Sequence, residues 1–216
     1  MMKYPKIQTL WKRDLAGNRA VIEGEYACDE FANIKQWLVT EKIDGMNIRI
    51  FYMKGAQVSF LGRNDETMLP PKLLNYLRET FSKEIMETYF NEAEEVFLFG
   101  EGYGNKIQSG GHYNENQRFV LFDVCLKDVD GKWWWFEYNN IVEVAGGLNV
   151  PFAPVLFFGE QLCKKEIVEY VKSKPESTLS RHHNVVTEGV VARAYPMVLF
   201  RDGTPVMFKL KCKDFK

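Results

Sequence analysis

No run of 18 or more apolar residues occurs in this 216-residue chain, so no membrane-spanning helix is expected. The opening Met1-Met2-Lys3-Tyr4-Pro5-Lys6 lacks the apolar stretch of a secretory signal. The expectation is a cytoplasmic protein with no membrane partner. Cysteine is scarce. Cys28, Cys125, Cys163 and Cys212 are scattered, with no two at the close spacing of a zinc ribbon or redox pair. Reduced, mostly buried thiols are expected. Histidine is scarcer, and His112, His182 and His183 show no metal-ligand spacing with the cysteines. Nor is one sign of charge in excess. The 28 basic and 29 acidic residues leave a net charge of −1, whereas many nucleic-acid binders are basic. Composition alone therefore does not suggest a polynucleotide partner. Charge is nevertheless uneven, acidic over residues 84–95 and basic over 209–216. No repeat, low-complexity tract or Gly/Ser- or Pro-rich linker divides the chain, so a single domain over 1–216 is expected.

Apolar residues make up 46% of the chain, enough for a sizeable core. Residues 37–42, 47–52 and 57–61 read as strands, with Gly55 turning between the last two. Residues 73–90 carry apolar positions at helical spacing, and Pro70-Pro71 stands where a helix would open. Short apolar runs at 96–99 and 118–122 suggest buried strands, and Asp130-Gly131 suggests a hairpin into 132–136. In Trp133-Trp134-Trp135 the alternation predicts two core rings and one exposed. An amphipathic helix is expected over 160–172, stopped before Pro175, then strands over 185–193 and 204–211. Many strands and few helices, without regular βαβ alternation, predict an α+β fold with largely antiparallel sheet.

The first chemically informative segment is Lys42-Ile43-Asp44-Gly45, a lysine at a strand end followed by a carboxylate and a glycine. Such a K-x-D-G string arises by chance in about one chain in twenty of this length, so alone it weighs little. Five more segments follow: Phe60-Leu61-Gly62-Arg63, Phe97-Leu98-Phe99-Gly100-Glu101-Gly102-Tyr103-Gly104, Phe119-Val120-Leu121-Phe122-Asp123-Val124, Thr187-Glu188-Gly189-Val190-Val191-Ala192-Arg193 and Met207-Phe208-Lys209-Leu210-Lys211. In kind, order and approximate spacing they resemble the nucleotidyltransferase motifs of the covalent ligase and capping-enzyme superfamily. The resemblance runs from Lys6 to Lys211. Within that superfamily the chain looks closest to RNA ligases of the kind used in phage RNA repair. Lys42-Ile43-Asp44-Gly45-Met46-Asn47-Ile48-Arg49 is similar to that family's Lys-x-Asp-Gly-Thr-Asn-x-Arg form, with Met46 departing from the small hydroxyl residue. The loop 102–108 with Gly110-Gly111 and Tyr113, and the lead-in Pro5-Lys6-Ile7-Gln8-Thr9-Leu10, resemble the family's as well.

The resemblance implies a nucleotidyltransferase (adenylation) domain with sheets flanked by helices. It also implies an ATP-dependent RNA ligase using Mg2+ or Mn2+. Lysine attacks the α-phosphate of ATP, AMP passes to an RNA 5′-phosphate, and a 3′-hydroxyl displaces AMP. A lysine amine attacks only when neutral, and its ordinary pKa is about 10.4; neighbouring cations depress such a value. Lys209, Lys211 and the metal are the neighbours implied for Lys42. By the same resemblance Glu101 holds the ribose hydroxyls and Phe122 stacks on adenine, with Val190 on its other face. Asp44 and Glu188 orient water on the metal, Arg63 and Asn47 contact phosphate or ribose, and Thr40 and Glu41 help define the adenine edge. Taken singly, Phe122 reads as core, Glu101 as a strand end, and Lys209 and Lys211 as a solvated strand face.

A minimal ATP-dependent DNA ligase is the alternative. The chain ends five residues after Lys211, so no OB domain is expected, which weakens the capping-enzyme reading and, less so, the DNA-ligase one. An NAD-dependent ligase is disfavoured, because no nicotinamide-binding domain fits before Lys42. The expected partner is RNA, as a nicked duplex or an RNA/DNA hybrid. Binding should be modest and salt-sensitive, or helped by a recruiting protein.

Overall fold

The structure, a computed structural model, describes residues 1–17, 19–157 and 163–215. In chain order its elements are β1 (Gln8–Thr9), β2 (Trp11–Arg13), β3 (Val21–Tyr26), α1 (Glu30–Asn33), β4 (Trp37–Lys42), β5 (Met46–Met53), β6 (Ser59–Leu61), α2 (Pro71–Thr80), α3 (Lys83–Tyr89), β7 (Glu95–Tyr103), β8 (Arg118–Lys127), β9 (Trp133–Trp135), α4 (Tyr138–Gly147), β10 (Val155–Phe157), α5 (Lys164–Lys172), β11 (Gly189–Ala194) and β12 (Met207–Lys211). This is the expected α+β fold with largely antiparallel sheets. The elements fall into two compact units, Met1–Tyr4 with Asp44–Ala153, and Pro5–Ile43 with Pro154–Lys216. The division cuts the Lys42-Ile43-Asp44-Gly45 segment.

The first unit is built on an antiparallel sheet of order β6-β5-β7-β8-β9. Alternation along β5 and β7 sends Ile48, Ile50, Tyr52, Val96 and Leu98 to one face, where they pack with Leu73, Leu77, Met86, Ile141 and Val144 of the helices. Each such burial is worth about 1.5–3 kcal/mol. The opposite face is aromatic: Phe51, Phe97, Phe99 and Cys125, with Tyr4 and Phe122 against them. Pro71 opens α2 as expected. The helix expected over 73–90 is, however, two helices. Phe81 turns inward, fully buried, and the Ser82 hydroxyl accepts from the Ile85 amide at 3.4 Å, capping a new helix. The tryptophans also depart from expectation, for Trp133 and Trp134 are 37% and 55% exposed and Trp135 half-buried. Their strand is three residues long and, among the described residues, pairs with β8 alone at the end of the sheet order.

The second unit holds the sheet β1-β12-β11-β4-β10 and the β2-β3 ribbon. The β1–β12 pair is parallel and the others antiparallel. One face packs Trp37, Val39, Val190, Ala192, Phe208 and Leu210 with Phe31 of α1 and Ile167, Val168 and Val171 of α5. Residues 160–162 of the expected helix lie outside the described residues; α5 begins at Lys164, with the Cys163 amide donating to Glu166 Oε2 at 2.8 Å. Two expected strands are shorter than their apolar patterns. Before β11 the chain pairs with residues 175–177 instead, the Ser177 amide donating to Val185 O at 2.7 Å and the Thr187 amide to Pro175 O at 2.9 Å. Before β12 Thr204 is bound by the Asp202 carboxylate and Pro205 has no amide to donate.

Candidate active site

In the second unit β4 and β12 both run antiparallel to β11, and Gly189 pairs with Lys42 on one side and Lys211 on the other. Both lysines are the last residues of their strands, so they stand at one end of the sheet. Glu188, one residue ahead of β11, reaches both. Lys42 Nζ donates to Glu188 Oε2 at 2.5 Å, and Lys211 Nζ to Oε1 at 2.5 Å. The three side chains are 21%, 15% and 22% exposed, shielded enough that their attraction exceeds that of an open surface pair. Gly189 permits this spacing. A β-carbon there would lie 2.0 Å from the Leu210 carbonyl oxygen, and the backbone adopts φ +153°. The end of β12 is pinned too, the Lys211 amide donating to Asp214 Oδ2 at 2.9 Å and Arg13 to Oδ1 at 2.7 Å.

Strand parity sorts the other residues of this unit. Thr40, Lys42, Val191, Lys209 and Lys211 share one face, since Val191 pairs with Thr40 and with Lys209. Thr40 Oγ1 donates to the Val191 carbonyl at 3.3 Å. Val190 and Glu41 pair with each other on the opposite face, 0% and 2% exposed. Val190 is thus a core residue, turned away from Lys42, and Val191 is the valine on the lysine's face. The carboxylate of Glu41, expected at the adenine edge, instead faces away from Lys42 and is occupied by Ser177 and Thr178.

In the first unit Asn47 pairs with Glu101, and Arg49 with Phe99, so Asn47, Arg49 and Glu101 share the aromatic face. Phe122 lies at a bulge: Leu121 pairs with Gly100 and Asp123 with Phe99, leaving Phe122 as the extra residue. Such a bulge re-aims a side chain, and the ring lies half-buried, 5.0 Å from Tyr4. The Asn47 side-chain oxygen is buried and has no partner among the described residues. A β-carbon on Gly45 would meet the Gly102 carbonyl at 2.3 Å, and the Asp44 amide donates to the Tyr113 hydroxyl at 3.2 Å. Arg63 is exposed. The loop that carries it is held by Arg49, fully buried, which donates to Gly62 O at 2.7 Å, Met2 O at 2.8 Å and Asp65 Oδ1 at 2.6 Å. This hydrogen bond and charge hold the Asp65 carboxyl below the usual carboxylate range.

The pattern of the RNA ligase family matches residues 35–211. The chain belongs to the RNA ligase family. No curated protein matches it. Among solved structures it is similar to Naegleria gruberi RNA ligase. One mutant with ATP and Mn matches at 23% identity and TM-score 0.60, covering 83% of this chain and 51% of that one. Another matches at 20% identity and TM-score 0.61 over 99% and 64%. A third, with AMP and Mn, matches at 21% and 0.60 over 96% and 61%. At these identities the likeness concerns the fold, and the chain spans 51% to 64% of those chains.

For an RNA ligase of this family the donor set suits a hard divalent cation held largely through water. Mg2+ keeps several waters and needs only one or two carboxylates beside substrate phosphates, and the partly exposed Glu188 carboxylate is a donor of that kind. Among the described residues no group of three or more His, Cys, Asp and Glu forms a dedicated metal cage. Sequence reasoning left Arg49 without a role, although it closes the Lys-x-Asp-Gly-x-Asn-x-Arg string. It missed Asp214 and Arg13, which carry no local signal.

Proposed function

We propose that this chain is an ATP-dependent RNA ligase that carries AMP on Lys42. What supports the reading most is the Glu188 carboxylate bridging Lys42 and Lys211 in a chain of the RNA ligase family. Lys42 Nζ attacks the α-phosphate of ATP and pyrophosphate leaves; Glu188, hydrogen-bonded to that nitrogen, is in reach of the proton it must lose. Lys209 and Lys211 neutralise charge at the phosphate, in a transfer that depends on positioning and electrostatics. AMP then passes to an RNA 5′-phosphate, and a 3′-hydroxyl displaces it. Mg2+ or Mn2+ would supply further charge at the phosphates, with Asp44 and Glu188 holding its waters; the similar Naegleria gruberi structures contain Mn with ATP or AMP.

The remaining roles rest on the motif pattern. Glu101 binds the ribose, Phe122 stacks on adenine, Asn47 and Arg63 contact ribose or phosphate, and Thr40 lies by the adenine edge. Val191 replaces Val190 as the valine toward the base. Residues 1–216 act as one nucleotidyltransferase domain, on RNA as a nicked duplex or RNA/DNA hybrid, with or without a recruiting protein, in cytoplasmic RNA repair. No helix among the described residues is long and apolar enough to cross a membrane. Incubation with α-radiolabelled ATP and Mg2+ should label the wild-type protein and leave Lys42→Ala unlabelled. Unlabelled wild type would defeat the reading, and sealing of DNA nicks in preference to matched RNA nicks would redirect it to a DNA ligase.

A further inference from the structure

Glu41 precedes the proposed nucleophile, yet its side chain is 2% exposed on the opposite face of β4. Burying a carboxylate is costly unless its oxygens are paired. These are fully paired, and with one short segment. Ser177 Oγ donates to one oxygen, and the amide and hydroxyl of Thr178 donate to the other at 2.8 and 2.6 Å. From Ser177 the network runs outward. Its hydroxyl accepts from the amides of Leu179 at 3.2 Å and Ser180 at 3.1 Å, and the Ser180 hydroxyl donates to His182 O at 3.0 Å while accepting from the His182 amide at 3.1 Å. The ends of the segment are stapled as well, the Ser177 amide donating to Val185 O at 2.7 Å and the Thr187 amide to Pro175 O at 2.9 Å, with Glu176 bridged to Val186. The result is a hairpin with its inner end on a buried anion and its return limb running into Glu188.

The tip of this hairpin presents Arg181, His182 and His183, all exposed. Among the described residues no carboxylate pairs with Arg181, so its fork of donors faces solvent. A tip that is already ordered and carries a guanidinium beside two imidazole rings binds an anion without the entropy of ordering a loop, and a guanidinium fork matches phosphate oxygens. From Arg181 to Glu188 the chain can extend about 25 Å at most, a span of a few nucleotides from the proposed reacting phosphate.

We propose that Arg181, His182 and His183 bind the phosphate backbone of the polynucleotide substrate, and that Glu41 is a positioning residue holding this tip; the proposal rests on the RNA ligase reading. The test uses the full chain and a fluorescein-labelled, 5′-phosphorylated single-stranded RNA, with anisotropy read at several KCl concentrations. Lysyl-AMP formation, which involves no polynucleotide, is measured in parallel. Arg181→Ala with His182→Ala and His183→Ala should weaken RNA binding about tenfold. It should also flatten the log Kd–log salt slope by about 0.7 for each phosphate no longer neutralised, and leave lysyl-AMP formation within about twofold. Arg181→Lys alone should keep most of the affinity. Ser177→Ala with Thr178→Val retains Arg181 and both histidines but frees the tip from Glu41, and should raise KM for RNA in sealing with kcat little changed. RNA affinity and salt slope equal to wild type in the triple variant would overturn the proposal. So would a parallel loss of RNA binding and lysyl-AMP formation. If wild type formed no lysyl-AMP while the triple variant still lost RNA affinity, the ligase reading would fall and the tip would stand as an RNA-binding element.

Discussion

Gly189→Ala tests whether the register of three strands builds the Lys42–Glu188–Lys211 cluster. The added carbon would lie 2.0 Å from Leu210 O and 2.7 Å from Lys211 Cα, about 1.4 Å short of ordinary contact for the first. The obstruction is backbone, so no rotamer change relieves it; β11 and β12 must separate where Gly189 pairs with Lys211. Overpacking costs about 1–3 kcal/mol, and an unfavourable backbone conformation adds about 1–3 kcal/mol. A total of about 2–6 kcal/mol is a large part of a domain's stability. With a urea slope of about 2 kcal/mol per molar, the unfolding midpoint should fall by about 1–3 M. The same displacement pulls Lys211 Nζ off Glu188, now at 2.5 Å. Misplacement of about 1 Å can cost about a hundredfold in rate, so lysyl-AMP formation should drop by that order under conditions where the variant is still folded. A midpoint within about 0.3 M of wild type together with labelling within about twofold would refute the reasoning.

Lys42→Arg should keep the ion pair with Glu188 and a near-wild-type unfolding midpoint while abolishing labelling, because a guanidinium stays protonated. Glu188→Gln should lower the rate of lysyl-AMP formation by about a hundredfold or more, measured by single-turnover labelling. Arg49→Met should cost about 1–3 kcal/mol in urea unfolding, since it orphans the Gly62 and Met2 carbonyls. Because Arg49 lowers the Asp65 carboxyl, any stability this pair contributes is present above the ordinary carboxylate range and lost as pH falls through the folded value; the wild-type acid limb should flatten in Arg49→Met. Burial and the neighbouring Asp123 push the Cys125 thiol up to about 12. The folded chain therefore keeps a proton that the unfolded chain releases from about pH 9, so this group lowers stability as pH rises from about 9 to about 12. At pH 8 a thiol reagent should modify exposed Cys163 and reach Cys125 only on unfolding.

The sequence by itself determined the chemistry-bearing segments and most of the strands. A strand displays its period of two in the identity of its residues: Asn47, Arg49 and Phe51 alternate with Ile48, Ile50 and Tyr52, and the two sets do face opposite ways. Lys42, Glu188 and Lys211 could be grouped because the segments that carry them resemble, in kind and order, the motifs of the covalent ligase superfamily. Helix α4 was not expected, although Ile141, Val144, Ala145 and Leu148 stand at helical spacing. Tertiary structure alone decided what residue type leaves degenerate. Val190 and Val191 are identical in kind, so only the pairing with Glu41 and Thr40 says which one shares the face of Lys42. Whether Arg49 is a solvated strand residue or a buried clamp depends on where the Gly62 and Met2 carbonyls lie. Whether three tryptophans are core depends on β9 being an edge. Local sequence encodes periodicity and chemical capacity; which face is covered, and by what, is set by partners distant in the chain.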